Sequence, residues 1–286
     1  SPDMRTWKAE KPVFNAPPEW AVKAVPTFKG HIWAPDIAYH NGQYYLYYSV
    51  SAFGKNTSCI GVVTNTTLDA DDKNFKWVDH GMVVQSVPGR DLWNAIDPNL
   101  AFDENRQPWL AFGSFWSGMK LVKLSSDLKT LAQPEEWYTV SKRPRDYKVK
   151  DEEAGPGAVQ APFIFKKDDY YYLLLGEAGT EYAHSATIGR SKYLFGPYES
   201  CPLNPILSHS NRMGQGNQIQ GVGHADLVQA ADGSWWAVFL GFRVTQPYSY
   251  YHILGRETFL APVDWPKNGW PQVNGNGIIN SDMQVP

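Results

Sequence analysis

Four segments of the chain align at a nearly constant spacing, and this is the strongest constraint on what it can fold into. They cover residues 34–49, 97–114, 161–176 and 224–241, and their anchors Pro35, Pro98, Pro162 and Ala225 lie 63, 64 and 63 positions apart. A steady period in a strand-rich sequence indicates a propeller or a solenoid. Each segment has the pattern of a hairpin. A strand leaves the anchor, turns at Asn41-Gly42, Glu104-Asn105, Lys167-Asp168 or Asp232-Gly233, and returns as an aromatic strand. A third strand follows, as at 58–64 or 186–190, and an outer strand around a Trp or Tyr closes the unit. Four strands per unit describe a propeller blade. No long amphipathic helix is evident.

The outer ends of the units also repeat, as Ser1-Pro-Asp-Met-Arg-Thr-Trp7, Ser125-Ser-Asp-Leu-Lys-Thr130 and Ser191-Lys-Tyr-Leu-Phe-Gly-Pro197. The first of these has no hairpin before it. The expected fold is therefore all-β: a five-bladed β-propeller with an incomplete first blade, short of roughly 25 to 30 residues by comparison with the others. On this reading residues 1–286 are one propeller domain. Residues 1–30 are the tail of blade 1, and the remaining blades cover about 31–90, 91–155, 156–220 and 221–286.

Composition narrows the function. The net charge is −3 with no long basic run, which argues against nucleic acid as a partner. No apolar stretch approaches a membrane span. The two cysteines, Cys59 and Cys201, leave the redox compartment undetermined, and a chain that starts partway through a repeat says nothing about a signal peptide. Aromatic residues reach 14%, with 12 Trp and 16 Tyr. That suits an all-β core, because aromatics favour strands. It equally suits a surface whose ring faces stack on sugars.

In a propeller the inner strands converge, so the residues at the anchors form a ring at one mouth. Here the ring contains Trp33, Ala34, Asp36, Ile96, Asp97, Gln160, His224 and Asp226. The loops after each second strand return to it: Ser51-Ala-Phe-Gly54 with Phe53, Ser114-Phe-Trp-Ser117 with Trp116, the stretch from Glu177 to His184, and Arg243 onward. Taken singly, Asp97 before a proline could cap a turn, His224 could be a satisfied core histidine, and Trp33 and Trp116 could be packing residues. Four such residue sets at equivalent positions point instead to one site, suited to a ligand with hydroxyl edges and apolar faces.

The motifs at these positions resemble glycoside hydrolase family 43, the five-bladed arabinanases, β-xylosidases and α-L-arabinofuranosidases. Residues 31 to about 130 resemble the arabinanase branch through His31-Ile-Trp-Ala-Pro-Asp-Ile37, the stretch 47–58, Arg90-Asp-Leu-Trp-Asn-Ala-Ile-Asp-Pro98 and Phe112-Gly-Ser-Phe-Trp-Ser-Gly118. From about Tyr171 the likeness is to the β-xylosidase branch, through Glu177-Ala-Gly-Thr-Glu-Tyr-Ala-His184, Cys201-Pro-Leu-Asn-Pro-Ile-Leu207, Gly223-His-Ala-Asp-Leu-Val228 and Leu254-Gly-Arg-Glu-Thr-Phe-Leu-Ala-Pro262. This split suggests a recombined or engineered chimera joined between about 140 and 170, or else a natural mixed lineage.

The resemblance implies inverting glycoside hydrolysis. One carboxylic acid protonates the leaving oxygen, and one carboxylate activates water on the other face. A third carboxylate orients the acid and raises its pKa. Asp97 matches the third role. The family's base is an Asp before Pro on the first inner strand, which these residues do not include. The family's acid is a Glu before Ala-Pro or Gly-Pro, and the matching residue is Gln160 in Val159-Gln-Ala-Pro162. An amide has nearly the shape of a protonated carboxyl but cannot release a proton near neutral pH. Either the change disables turnover and traps substrate, or Glu177 or Glu181 on the adjoining loop serves instead. His224 matches a family histidine that in arabinanases lies beside a bound metal, often calcium, and Arg256 matches an arginine near the sugar hydroxyls. The substrate-binding set expected is Trp33, Asp36, Phe53, Trp116, Glu177, His224 and Arg256.

Three functions follow. The first is a family 43 hydrolase for arabinose- or xylose-containing plant polysaccharide, crippled as written, whose partner is an arabino- or xylo-oligosaccharide. The second is a non-catalytic carbohydrate-binding propeller. The third is a structural or protein-interaction propeller. Arabinan against xylan, and endo against exo action, stay open.

Overall fold

The computed structural model describes residues 1, 3–210, 218–245, 251–267 and 269–279. The chain divides into two compact units, one over residues 1–157 and one over Ala158–Gln284. Each carries two antiparallel sheets with their strands in chain order.

The first unit opens with one six-residue helix, α1 (Glu19–Ala24). Its first sheet is β1 (Ile32–His40), β2 (Gln43–Val50), β3 (Ser58–Asn65) and β4 (Val78–Ser86). Its second is β5 (Asn99–Phe102), β6 (Pro108–Phe112), β7 (Met119–Lys123) and β8 (Trp137–Ser141). Every residue of β3 is buried, and its middle, Cys59-Ile-Gly-Val-Val63, is an uninterrupted run rather than an alternation. Tyr47, Ile60 and Val62 pack with Leu110, Phe112 and Val122 in the core of this unit, and the Tyr47 hydroxyl donates to Leu128 O at 2.7 Å. Helix α1 covers Tyr48, Val50, Cys59 and Val63 through Ala21.

The second unit holds β9 (Val159–Lys167), β10 (Tyr170–Glu177), β11 (Ser185–Ser191) and the two-residue β12 (Glu199–Ser200), with β13 (Leu207–Ser208) also paired to β11. Its other sheet is β14 (Ile219–Gln229), β15 (Trp235–Arg243), β16 (Glu257–Asp264) and β17 (Gln272–Val273). Leu174, Ile188, Leu227, Phe239 and Trp270 belong to its core.

The expected blade segments each hold one sheet, except that β14 begins two residues ahead of 221. Asn41-Gly42 forms a two-residue hairpin turn with both residues at positive φ, as such turns require. The turn expected at Lys167-Asp168 falls one residue later, on Asp168-Asp169, because Lys167 still pairs with Tyr170. Residues 1–30 were expected to be a blade tail. Their described residues form no strand, yet their start keeps the repeat's turn. Asp3 accepts from the Ser1 hydroxyl and the Arg5 N–H, Asp127 accepts likewise from Ser125 and Lys129, and Met4 and Leu128 are both left-handed.

One backbone feature recurs with each of the four sheets. Ala34, Asp97, Ala161 and His224 lie immediately before the four anchors, and all have positive φ, at 38°, 57°, 53° and 50°. The pairing register shifts at Trp33/Asp36, opposite Ala161 at Leu174/Gly176, and at Gly223/Asp226, while β5 begins only after Asp97. Left-handed geometry costs a residue with a Cβ about 1–2 kcal/mol, so its repetition marks a position held by its surroundings.

Candidate active site

In the first unit, three serines from adjacent strands hold the stretch that ends at Asp97. Ser58 of β3 donates to Asn94 Oδ1 at 2.6 Å. Ser86 of β4 accepts from the Ala95 N–H at 3.0 Å, and Ser49 of β2 accepts from the Asp97 N–H at 3.0 Å. Asp97 is left 6% exposed. Trp33, half-buried, pairs across β1 with the same Ser49 that anchors Asp97. Asp36 is placed differently from the ligand-facing role expected of it. Its buried carboxylate accepts from the Leu100 N–H at 3.1 Å and from Asn99 Nδ2 at 3.4 Å, joining the two sheets of the unit. Burial pushes it up to about 6 against the pull of those two donors.

Two loops of this unit carry aromatics. Phe53 stands 84% exposed after β2. The loop from Gly113 to Gly118 is strongly bent, with Gly113, Phe115, Trp116 and Gly118 all at positive φ. Trp116 was expected to face a sugar. It is instead 4% exposed, and its indole N–H donates to Asp151 O at 3.0 Å, so it anchors the loop from below. The aromatic this loop leaves accessible is Phe115, which is half-buried. Lys120 supports the loop by donating to Ser117 O at 3.2 Å, and burial lowers its amine to about 8.

In the second unit, Gln160 lies on β9 opposite Gly176 and is 6% exposed. Its side-chain N–H donates to Gly179 O at 2.9 Å, in the loop that joins β10 to β11. Glu177 starts that loop, and its carboxylate accepts from the Thr187 hydroxyl at 3.1 Å. His184 ends the loop. Sequence reasoning quoted His184 within a motif but gave it no role. It is 0% exposed, its Nδ1 is 3.1 Å from Glu177 O, and its Nε2 has no partner among the described residues. A carbonyl can only accept, so Nδ1 carries the proton and Nε2 is a buried lone pair. Burial, with His224 and the Arg256 guanidinium nearby opposing a second charge, pushes His184 down to about 4. His224 is also down to about 4, through burial and then Arg256. Arg256 itself is exposed just ahead of β16. The unit therefore gathers a buried amide, a carboxylate, two neutral imidazoles and a guanidinium. That set suits recognition of a neutral polyhydroxylated ligand.

Residues 1–271 match the family model for glycosyl hydrolases family 43. The chain belongs to this family. It is 40% identical over 285 residues to an extracellular exo-alpha-(1->5)-L-arabinofuranosidase of Cellvibrio japonicus, covering 96% of this chain and 79% of the relative. An extracellular endo-alpha-(1->5)-L-arabinanase of Bacillus subtilis is 38% identical, covering 80% of this chain and 68% of the relative. The solved alpha-L-arabinanase of Cellvibrio cellulosa in complex with arabinohexaose superposes with a TM-score of 0.80 at 39% identity, over 91% of this chain and 82% of that one. At that identity the likeness carries the fold, so the four sheets are β-propeller blades.

Membership places the chain among glycosidases. The Cellvibrio japonicus relative aligns with both halves of the chain. The calcium expected near His224 was tested against the donors present. Calcium takes six to eight oxygen ligands. Among the described residues no group of three or more His, Cys, Asp or Glu is placed to hold a metal ion, and His224 offers one nitrogen. Among the described residues the side chains alone do not form such a site, and no chemical step is assigned to a metal.

Proposed function

We propose that this family 43 chain is a five-bladed propeller directed at α-1,5-linked arabino-oligosaccharide, and that as written it binds its substrate far better than it turns it over. Gln160 carries this reading: it stands where the family's proton donor is expected, and its buried amide keeps a fixed hydrogen bond with nothing to ionise. By the family resemblance Asp97 takes the role of the orienting carboxylate, and Trp33, Phe53, Glu177, His224 and Arg256 are the sugar-binding candidates. The relatives favour arabinan over xylan, since an arabinofuranosidase and an arabinanase match at 40% and 38% while a xylan 1,3-beta-xylosidase of Vibrio sp matches at 28%. The turn shared by Asp3-Met4 and Asp127-Leu128 supports a fifth blade.

The test is calorimetric titration with arabinohexaose and xylohexaose, followed by hydrolysis of linear arabinan. Arabinohexaose is expected to bind more tightly than xylohexaose. General acid catalysis contributes about 10²–10⁴-fold, so Gln160→Glu, in a chain extended by an Asp-Pro hairpin, raises arabinan hydrolysis by that order. Equal affinity for the two sugars would remove the arabinan assignment. No gain in hydrolysis would remove the chemical one.

A further inference from the structure

Gln160 and His184 meet through one loop, residues 177–184. His184 closes it twice. Its Nδ1–H donates to Glu177 O at 3.1 Å, and its backbone N–H donates to Glu181 O at 3.0 Å. The Ala178 N–H donates back to Ala158 O at 3.0 Å, tying the same loop to the residue before β9. The imidazole sits in a slot bordered by two glycines. A Cβ on Gly223 would fall 2.5 Å from His184 Nε2, and one on Gly176 would fall 3.1 Å from its Cε1 and 3.2 Å from Gln160 Cγ. Any larger residue at Gly223 would displace the ring. The Gly179 carbonyl, 2.9 Å from the Gln160 amide, thus belongs to a loop closed by a ring that cannot easily move.

A carbonyl oxygen accepts and never donates. It is satisfied by the amide of Gln160 and would be equally satisfied by a protonated carboxyl there. An ionised carboxylate would set two electron-rich oxygens against each other. A hydrogen bond made only by the neutral form stabilises that form.

We infer that the Gly179 carbonyl retains the proton of an acid at position 160, and that His184 is the positioning residue that fixes this carbonyl. The inference rests on the reading above only for the assignment of position 160 as the proton donor's place. It adds a second device to Asp97, one that acts through a neutral hydrogen bond rather than through charge.

The experiment labels Glu side-chain carboxyls of the full chain with carbon-13 and follows the one signal gained in Gln160→Glu through a pH titration, without substrate. The introduced carboxyl is expected to titrate above the ordinary glutamate value of about 4.3. Adding His184→Ala is expected to lower it by about one unit, a tenfold change in its ionisation constant. His184→Asn, whose amide N–H reaches toward the same carbonyl as Nδ1, restores most of the shift, while His184→Gln, whose amide lies further out, does not. A titration unchanged by His184→Ala in a folded chain overturns the inference. Where His184→Ala fails to fold, equal values in the Asn and Gln variants overturn it. Arabinohexaose titration of the parent chain reads the proposed function separately. Lost binding with an intact His184 dependence sinks the substrate reading alone.

Discussion

At position 160 an amide and a carboxylic acid differ by a single transferable proton, and leaving groups differ in how much they need it. A sugar alkoxide leaves arabinan only when protonated, whereas p-nitrophenolate leaves almost unaided. In the chain extended by the Asp-Pro hairpin, Gln160→Glu should therefore raise turnover of linear arabinan by about 10²–10⁴-fold and that of p-nitrophenyl arabinofuranoside by far less. Parallel initial-rate assays on the two substrates would show this, and equal gains would mean that Gln160 does not stand in the donor's place. Asp36 makes the opposite case, a carboxylate committed to structure. Asp36→Ala would leave the buried Leu100 N–H and the Asn99 amide short of an acceptor. The expected loss is about 1–3 kcal/mol in urea unfolding, with arabinohexaose affinity unchanged.

At the scale of the element, the left-handed residue before each anchor is what aims Asp97 and His224. Its cost can be measured where the side chain does nothing else. Ala34→Gly should leave stability equal or higher by up to about 1 kcal/mol, because glycine adopts that conformation freely. Ala111→Gly, in the buried interior of β6, should cost about 1 kcal/mol. Urea midpoints for the pair would check this, and a loss at position 34 as large as that at 111 would refute strain there. The hairpins were legible because Asn41-Gly42 and Asp232-Gly233 carry their own turn chemistry between aromatic strands. The outer strands β12 and β17 were not legible, since two residues are too short for any periodicity and are set by the strand they pair with. Nor was the bulge, because Ala34 and Ala161 have no local reason to be left-handed. Only the repeat links them to Asp97.

For the whole molecule, the clearest global readout is pH. His184 and His224 ionise near 6.5 in an unfolded chain and are pushed down to about 4 in the folded one. As pH falls below 6.5 the unfolded chain binds protons first, so the stability they contribute is complete above that value and is lost toward 4. Asp36 acts in the other direction, since it is raised from 3.8 to about 6 in the folded chain, which then binds its proton first as pH falls. Two histidines outweigh one aspartate. The melting temperature should fall between pH 6.5 and 4, His184→Asn should flatten that slope, and Asp36→Asn should steepen it, all measurable by thermal scans. Sequence reasoning gave His184 no role and put Trp116 on the sugar, and the places the structure gives both were hidden for one reason. The imidazole's place depends on two glycines 47 positions apart, Gly176 and Gly223, and the indole's on a carbonyl 35 residues away. Such long-range neighbours leave no trace in a local motif. The four bulges have a further consequence. Because the blade backbone, not the side chain, sets the left-handed geometry, the position works as a socket that accepts different plugs. Two sockets hold an acid and an imidazole, and the two at Ala34 and Ala161 hold blanks, so single substitutions there offer new functional groups on a mounting that already exists.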